Sequence, residues 1–275
     1  MKNLVSLAAL FLVGMTLKAQ VLSPQDDGLI PKSELHTGQA RVIPYAHLRQ
    51  DDMLWSRRNW ERIHTLEKLN HPLYYPIQAL PDRKSLFDVM KDAILSEGSI
   101  TEVYDDDLFM RPLTMSEVGN RLFRIDTLRD NDDRTIILAI DSIIVKSAGI
   151  LAWDIKSDWY FDKQRGELKN RIIGISPVIK DLTDGDIINL FWVWFPDARQ
   201  AFSTNVAYNP NNNTRRLTFD QIFQMRYFNA IVMKEDNVYD REIKDYKANN
   251  PMEQLLESKR IREEIRNREH DYWQF

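Results

Sequence analysis

The sequence predicts an α+β protein, in which helices flank a central antiparallel or mixed sheet. Apolar residues recur at three- to four-residue spacing near both ends of the 275-residue chain, which indicates helices there. Between residues 135 and 195 the chain is rich in Ile and Val, and apolar residues recur mostly at two-residue spacing, which indicates strands. The order of helices, strands and helices along the chain assigns the α+β class.

The first residues predict an export signal. Lys2 supplies a positive charge, and residues 4–17 are almost entirely apolar. This run has the length of a signal peptide and is too short to span a bilayer. Cleavage is expected between Ala19 and Gln20, which makes residues 1–19 the signal peptide. A buried N-terminal helix is the alternative, but the run has no amphipathic pattern.

The chain contains no cysteine. A lipoprotein needs a cysteine at its cleavage site, and a disulfide-stabilised domain needs cysteine pairs, so the sequence favours neither. The densest later apolar stretch, residues 187–195, falls short of the roughly 18 to 20 residues of a membrane helix. We therefore expect membrane association only through a partner protein, with a periplasmic location at the outer membrane.

The charge argues against a nucleic-acid partner. The chain has 37 basic and 41 acidic residues, and removal of the signal also removes Lys2 and Lys18, which leaves a net charge of about −6. The 12 Phe, 10 Tyr and 7 Trp residues suit either a packed sheet core or a large contact surface.

The mature chain is expected to consist of an extended arm and one domain. Residues 20–44 contain three prolines, few large apolar residues and no periodicity, which is typical of an extended segment. Residues 45–275 form the α+β domain, and any internal division falls into lobes 45–125 and 135–275. Such an arm is a candidate contact segment.

Two helices are predicted at the start of the domain. The first is an amphipathic helix over residues 53–69, capped by Asp52. Its apolar positions are Trp60, Ile63, Leu66 and Leu69. Ser85 caps the second helix and Gly98 closes it, before a short strand over residues 100–104.

Thr114 and Glu117 have the spacing of a capping box and predict a third helix, followed by a strand over residues 135–145. The helix carries Val118, Leu122 and Phe123. Further strands follow from the two-residue spacing of Trp153, Ile155, Trp159 and Phe161, and over residues 171–178 and 190–195. Turns are predicted at residues 164–167 and 184–185, and the apolar strand 190–195 is expected to be central.

Helices return at the end of the chain. Thr218 and Gln221 form another capping box, before the apolar residues Phe219, Ile222, Phe223, Ala230 and Ile231. Pro251 opens the last helix at the position that proline favours. This helix carries Leu255, Leu256, Ile261 and Ile265 among dense charges.

No catalytic or metal-binding motif is present in the sequence. The histidines, which are His36, His47, His64, His71 and His270, lack the spacing that directs two imidazoles at one zinc ion. The acidic runs 105–107 and 130–133 fail as calcium loops; in the second, Thr135 stands where an EF-hand requires glycine. We expect no cofactor. A pair of scattered carboxylates, as in a periplasmic hydrolase or ligand-binding protein, stays open as the alternative.

Several aromatic motifs carry a resemblance to a known family. They are MLWSRR at 53–58, WERI at 60–63, NHPLYYP at 70–76, WYFDKQR at 159–165, RIIGI at 171–175, LFWVWFP at 190–196, TFD at 218–220, NVYDR at 237–241 and EHDYW at 269–273. Together they resemble the GldN/PorN proteins of gliding motility and type IX secretion. The resemblance implies a non-enzymatic periplasmic subunit that forms a ring with a GldK/PorK-type outer-membrane lipoprotein and meets the GldM/PorM-type motor arm.

The candidate partner-binding residues are aromatic or arginine side chains, the types that dominate contact hot spots. They are Trp55, Arg57, Arg58, Tyr74, Tyr75, Tyr272, Trp273 and Phe275. The C-terminal group stands out because chain ends rarely carry three large aromatic residues, which indicates docking either in the core or on a partner.

Overall fold

The computed structural model describes residues 41–129, 137–181, 185–210, 212, 216–248 and 250–273. The helices are α1 (His71–Tyr74), α2 (Leu86–Leu95), α3 (Met115–Leu122), α4 (Phe195–Thr204), α5 (Phe219–Gln224), α6 (Ile243–Tyr246) and α7 (Pro251–Trp273). The strands are β1 (Met53–His64), β2 (Val103–Tyr104), β3 (Phe123–Arg129), β4 (Ile137–Ile144), β5 (Ile150–Asp162), β6 (Glu167–Lys180), β7 (Ile187–Asn189), β8 (Trp192–Trp194), β9 (Val206–Ala207), β10 (Leu217–Thr218) and β11 (Ile231–Glu235).

The main sheet has seven antiparallel strands, in the order β11-β1-β5-β6-β8-β2, with β7 also paired to β6. The hairpin β3–β4 and the pair β9–β10 are separate two-stranded sheets. This architecture confirms the predicted α+β class. The predicted signal peptide, residues 20–40 of the predicted arm and the acidic run 130–133 lie outside the described residues.

The core consists of two clusters of buried apolar side chains. The larger joins strands β1, β5, β6 and β8 to helices α2, α4 and α5, with Phe87, Trp153 and Phe202 among its fully buried members. The smaller lies under α7, where Ile261 and Ile265 pack with Val232 of β11. Trp159 of β5 lies at the border of this second cluster, so the C-terminal helix is attached to the sheet by apolar contact.

The prediction of a helix over residues 53–69 is wrong. Most of this segment is β1, which pairs with β5 along its length. The three-residue spacing of Trp60 and Ile63 with Leu66 does not mark a buried helix face, because Leu66 is 83% exposed. Every second residue of this segment points inward: Asn59, Glu61 and Ile63 are all buried. Because two of these three residues are polar, the hydrophobic pattern does not show the two-residue period of a strand.

Two predicted helices also end earlier than expected. Phe123 was assigned to the third helix but begins β3 and is 43% exposed. The helix that follows Thr218 ends at Gln224, because Arg226 adopts a positive φ of 50° and turns the chain towards β11, where Ile231 is the first residue. A residue with positive φ cannot continue a right-handed helix.

The capping signals at Ser85, Thr114 and Thr218 are confirmed, whereas Asp52 caps no helix. The Ser85 hydroxyl accepts a hydrogen bond from the backbone N–H of Asp88. Both predicted capping boxes, at Thr114 and Thr218, are present with reciprocal hydrogen bonds. These motifs are readable because every partner lies within three residues.

One glycine is required by a close contact across the sheet. The loop between β2 and α3 places the ring of Phe109 against Gly174 of β6, between Tyr104 at 5.3 Å and Trp194 at 5.0 Å, measured between ring centroids. A Cβ atom on Gly174 would lie 2.4 Å from Cζ of Phe109. The loop therefore docks only because β6 has no side chain at this point.

We expect Gly174→Ala to lower the free energy of unfolding by about 1–3 kcal/mol, the usual cost of overpacking, as measured by denaturant titration. Gly119→Ala is the matched control, since no atom lies within 4 Å of a Cβ there and alanine suits a helix interior. In a Phe109→Ala background the penalty of Gly174→Ala should largely disappear. An unchanged penalty in that background would show that the ring contact is not its cause.

Candidate interaction surfaces

Three of the predicted contact residues, Trp55, Arg57 and Tyr272, hold α7 against the sheet. Trp55 packs at the border of the small core cluster, and the ring of Tyr272 lies 4.5 Å from that of Phe161, centroid to centroid. Trp273 is the last residue of α7, and Phe275 lies outside the described residues. Their role in partner binding stays a prediction, and the structure adds an internal role for the first three.

Arg57 ties β11 to α7. Its guanidinium lies 3.2 Å from the Glu235 carboxylate on β11 and 3.1 Å from that of Glu264 on α7, and it stacks on the Trp55 ring at 5.8 Å. Burial raises the pKa of Glu235, Arg57 opposes the rise, and the negative charge of Glu264 adds to it. The arginine therefore offsets the cost of placing two carboxylates side by side.

Arg58 points to the opposite face of β1 and belongs to a polar ladder. It makes a bidentate ion pair with Asp158 on β5, at 2.7 and 2.8 Å, and Arg62 repeats this geometry with Asp154. The hydrogen bonds to Asp158 raise the pKa of Arg58. With a side chain that is 42% exposed, Arg58 stays accessible to a partner.

Tyr74 is the last residue of α1, and Tyr75 follows it; the two rings pack edge to face, with centroids 4.9 Å apart. The Tyr74 hydroxyl donates a hydrogen bond to the carbonyl of Ala148 at 3.3 Å. Tyr75 is 44% exposed and, with Ile77 at 44%, leaves apolar surface open to solvent. Tyr74 and Tyr75 fit the predicted contact role better than the predicted contact residues that pack under α7.

The structure shows a further exposed surface that the sequence does not predict. The loop Asn237–Arg241, here named the Tyr239 loop, follows β11 and exposes Val238 by 98% and Tyr239 by 72%. The Asn237 amide donates to the carbonyls of Glu235 and Arg241 at 2.8 and 2.9 Å. Its oxygen accepts from the backbone N–H groups of Tyr239 and Arg241, both at 3.1 Å. One side chain thus fixes the whole loop.

Two further contacts rigidify the Tyr239 loop. The Arg241 guanidinium stacks over the Tyr239 ring at 4.3 Å and reaches Tyr246 of α6 at 5.9 Å. Asp240 has a φ of 53°, which costs energy for a residue with a side chain, and it forms an ion pair with Lys234. The signal in the sequence was Asn237, whose side chain commonly organises turns.

Several carboxylates of the described chain that lie near or in its core are occupied by ion pairs. Glu61, 3% exposed, binds Arg226; Asp107 binds Lys156; and Asp105 binds Arg121. Asp105 and Asp107 belong to the acidic run 105–107 that fails as a calcium loop. Asp107 attaches the loop to β5, and Asp105 attaches it to α3. Within the described parts of the chain, no group of three or more potential ligand side chains could hold a metal ion.

Comparison with known proteins gives a match to a protein family. A family model described as GldN, gliding motility associated protein GldN, matches residues 48–274. No curated protein matches the chain. No helix among the described residues has the length and apolarity needed to cross a membrane.

Replacement of Arg57 should loosen α7. We expect Arg57→Met to lower the free energy of unfolding by about 1–3 kcal/mol near neutral pH, because the part-buried Glu235 loses its ion-pair partner. Glu264 loses one of its two arginine partners and keeps Arg260. Arg58→Met, the neighbouring control, removes a more exposed pair and should cost less than about 1 kcal/mol.

The Arg57→Met penalty should also depend on pH. Loss of the arginine raises the pKa of Glu235 further, so the folded variant binds a proton more tightly than the unfolded chain does. The penalty should therefore be small below the ordinary carboxyl pKa and grow as pH rises to neutrality. Denaturant titrations between pH 4 and 7 measure this, and a penalty that grew towards low pH would contradict the assignment.

Proposed function

Because the chain belongs to the GldN family of gliding motility associated proteins, we propose that it is a non-enzymatic structural subunit of the gliding and type IX secretion machinery. It assembles with a GldK/PorK-type outer-membrane lipoprotein into a periplasmic ring and contacts the GldM/PorM-type arm of the motor. The lipoprotein supplies the attachment to the membrane.

The Tyr239 loop is the observation that best supports a protein-contact role. Four hydrogen bonds from Asn237, a stacked arginine and an ion pair hold two apolar side chains in water. The exposure of Val238 and Tyr239 to water does not stabilise the fold. A preorganised aromatic residue loses little conformational entropy on binding, which favours contact with another protein.

The surface continues onto the start of α7. Tyr246 donates a hydrogen bond to Glu257 of α7 at 3.4 Å and is 41% exposed. Met252, Leu255 and Leu256 in the first turns of α7 are exposed by 62%, 47% and 58%. Tyrosine and arginine beside exposed apolar side chains are the composition of interface hot spots.

We expect the double variant Val238→Ser/Tyr239→Ser to fold normally and to lose its partner. Loss of one hot spot typically weakens a complex by about tenfold to a hundredfold. The measurement is the amount of GldK/PorK-type lipoprotein that co-purifies with the tagged chain from detergent-solubilised envelopes, with circular dichroism as the folding check. Leu66→Ser is the control, because Leu66 is 83% exposed but lies outside the Tyr239 loop.

Two outcomes distinguish failure of the Tyr239 loop as the contact surface from failure of the proposed structural role. Wild-type amounts of co-purified lipoprotein with the double variant would exclude the Tyr239 loop as its contact. Recovery of the wild-type chain as a free monomer from gently lysed cells, together with intact secretion after deletion of its gene, would exclude the structural role itself.

A further inference from the structure

A cationic cleft of about 580 Å³ lies beside β6, between the segment that precedes β1 and helix α5. Its lining includes the cations Arg41, Arg165, Lys169, Arg171 and Arg199, against the single carboxylate of Asp220. The whole chain has a formal net charge of −4, so this concentration of positive charge runs against the composition. A site of this size and charge is suited to an anionic ligand.

Arg199 and Asp220 neutralise each other. Their bidentate hydrogen bonds measure 2.9 and 3.2 Å, and the two side chains are only 4% and 10% exposed. The pair therefore builds the floor of the cleft. Arg165 and Lys169 have carboxylate partners outside the lining, in Asp162 at 2.8 Å and Glu167 at 2.6 Å.

The protein pairs Arg171 only in part. One of its terminal N–H groups donates to the carbonyl of Ala46 at 3.2 Å, and its Nε is buried without an acceptor among the described residues. No carboxylate in the described chain lies within ion-pair distance of it. A buried unpaired donor carries a desolvation cost that a carboxylate ligand would remove.

One wall of the cleft is formed by the chain's own segment that precedes β1, and two arginine side chains hold it in place. The Tyr45 ring lies between the guanidinium groups of Arg171 and Arg199, at 4.7 and 4.4 Å, and Gln224 of α5 donates to its hydroxyl at 3.3 Å. Burial raises the pKa of Tyr45, so the ring stays neutral. Ile43 and Met225 flank it, exposed by 77% and 54%, and supply apolar surface.

The neighbouring edge of the sheet is open. Residues 167–172 of β6 pair with β5 on one side, whereas β8 and β7 join β6 only from Gly174 onward. No backbone hydrogen bond links the free side of residues 167–172 to another described segment. Open strand edges accept extended peptides as an additional strand.

We propose that this cleft binds an extended acidic peptide segment of a partner protein. The main chain of the peptide pairs with residues 167–172, its carboxylates bind Arg171 and Arg41, and its apolar side chains contact Ile43 and Met225. A free small anion would satisfy the arginines alone, whereas the open edge and the apolar rim select a peptide. The inference is independent of the ring proposal, since it uses neither the Tyr239 loop nor the lipoprotein.

The test uses the full-length mature chain and three fluorescein-labelled nonapeptides of alternating sequence, measured by fluorescence anisotropy. The Glu-Val peptide should bind, and the Lys-Val peptide should not. The Glu-Pro peptide keeps the charge, but its prolines lack the backbone N–H and fix φ away from extended strand values. It should therefore bind at least tenfold more weakly than Glu-Val. The affinity for Glu-Val should fall as salt is raised.

Arg171→Gln should weaken binding of the Glu-Val peptide by about tenfold to a hundredfold, the usual effect of losing a hydrogen bond to a charged group. Lys169→Gln serves as the second cleft variant and should weaken binding more mildly, because Lys169 is already paired with Glu167. Lys259→Gln is the control, because it removes a cation of α7 that is 67% exposed and does not line the cleft.

The proposal is overturned if both cleft variants bind like the wild type or if the Lys-Val peptide binds as well as Glu-Val. It is also overturned if inorganic phosphate displaces the Glu-Val peptide more strongly than sodium chloride does at equal ionic strength, which would identify a small-anion site. Co-purification of the lipoprotein with Arg171→Gln checks independence and should be unchanged, whereas its loss would contradict the separation of the two surfaces.

Discussion

The pairing of β1 with β5 is the constraint on which the rest of the molecule depends, because both faces of these strands are committed to other elements. On one face Ile63 and Ile155 enter the main core, while Trp55 and Trp159 border the cluster under α7. On the other face the arginines of β1 reach the aspartates of β5 in two bidentate pairs. A one-residue slip would exchange these faces and bury charges without partners.

The buried carboxylate of Glu61 on β1 extends this constraint to the second half of the chain. Its partner Arg226 also donates to Asn170 of β6 at 2.7 Å and stacks on Trp159 at 4.9 Å. Because Arg226 sits at the turn after α5, the pair directs the chain into β11, which adds to the edge of β1. The Tyr239 loop and α7 follow from there, so the proposed contact surface is positioned by an ion pair inside the domain.

How far the sequence predicts the structure depends on the distance of each residue's partner along the chain. Helices capped by Ser85, Thr114 and Thr218 were predicted because their signals are local. β1 was taken for a helix because Asn59 and Glu61 occupy inward positions, and the partner of Glu61 lies 165 residues away. The same holds for the contact residues, since nothing near Arg57 in the sequence shows that Glu235 and Glu264 occupy it. Tyr75, in contrast, has no distant polar partner among the described residues and stays exposed.

The two proposed surfaces lie on different strands of one rigid sheet. The Tyr239 loop extends from β11 at one edge, and the cationic cleft opens along β6, three positions away in the strand order. With about 4.8 Å between neighbouring strands, the two strands are separated by roughly 14 Å across the intervening β1 and β5. The intervening strands β1 and β5 are joined by the longest run of paired residues on β1, so the sheet itself sets the spacing of the two surfaces. The two proposals together give a subunit that holds two partners at once, with an aromatic contact on one side and an acidic peptide on the other.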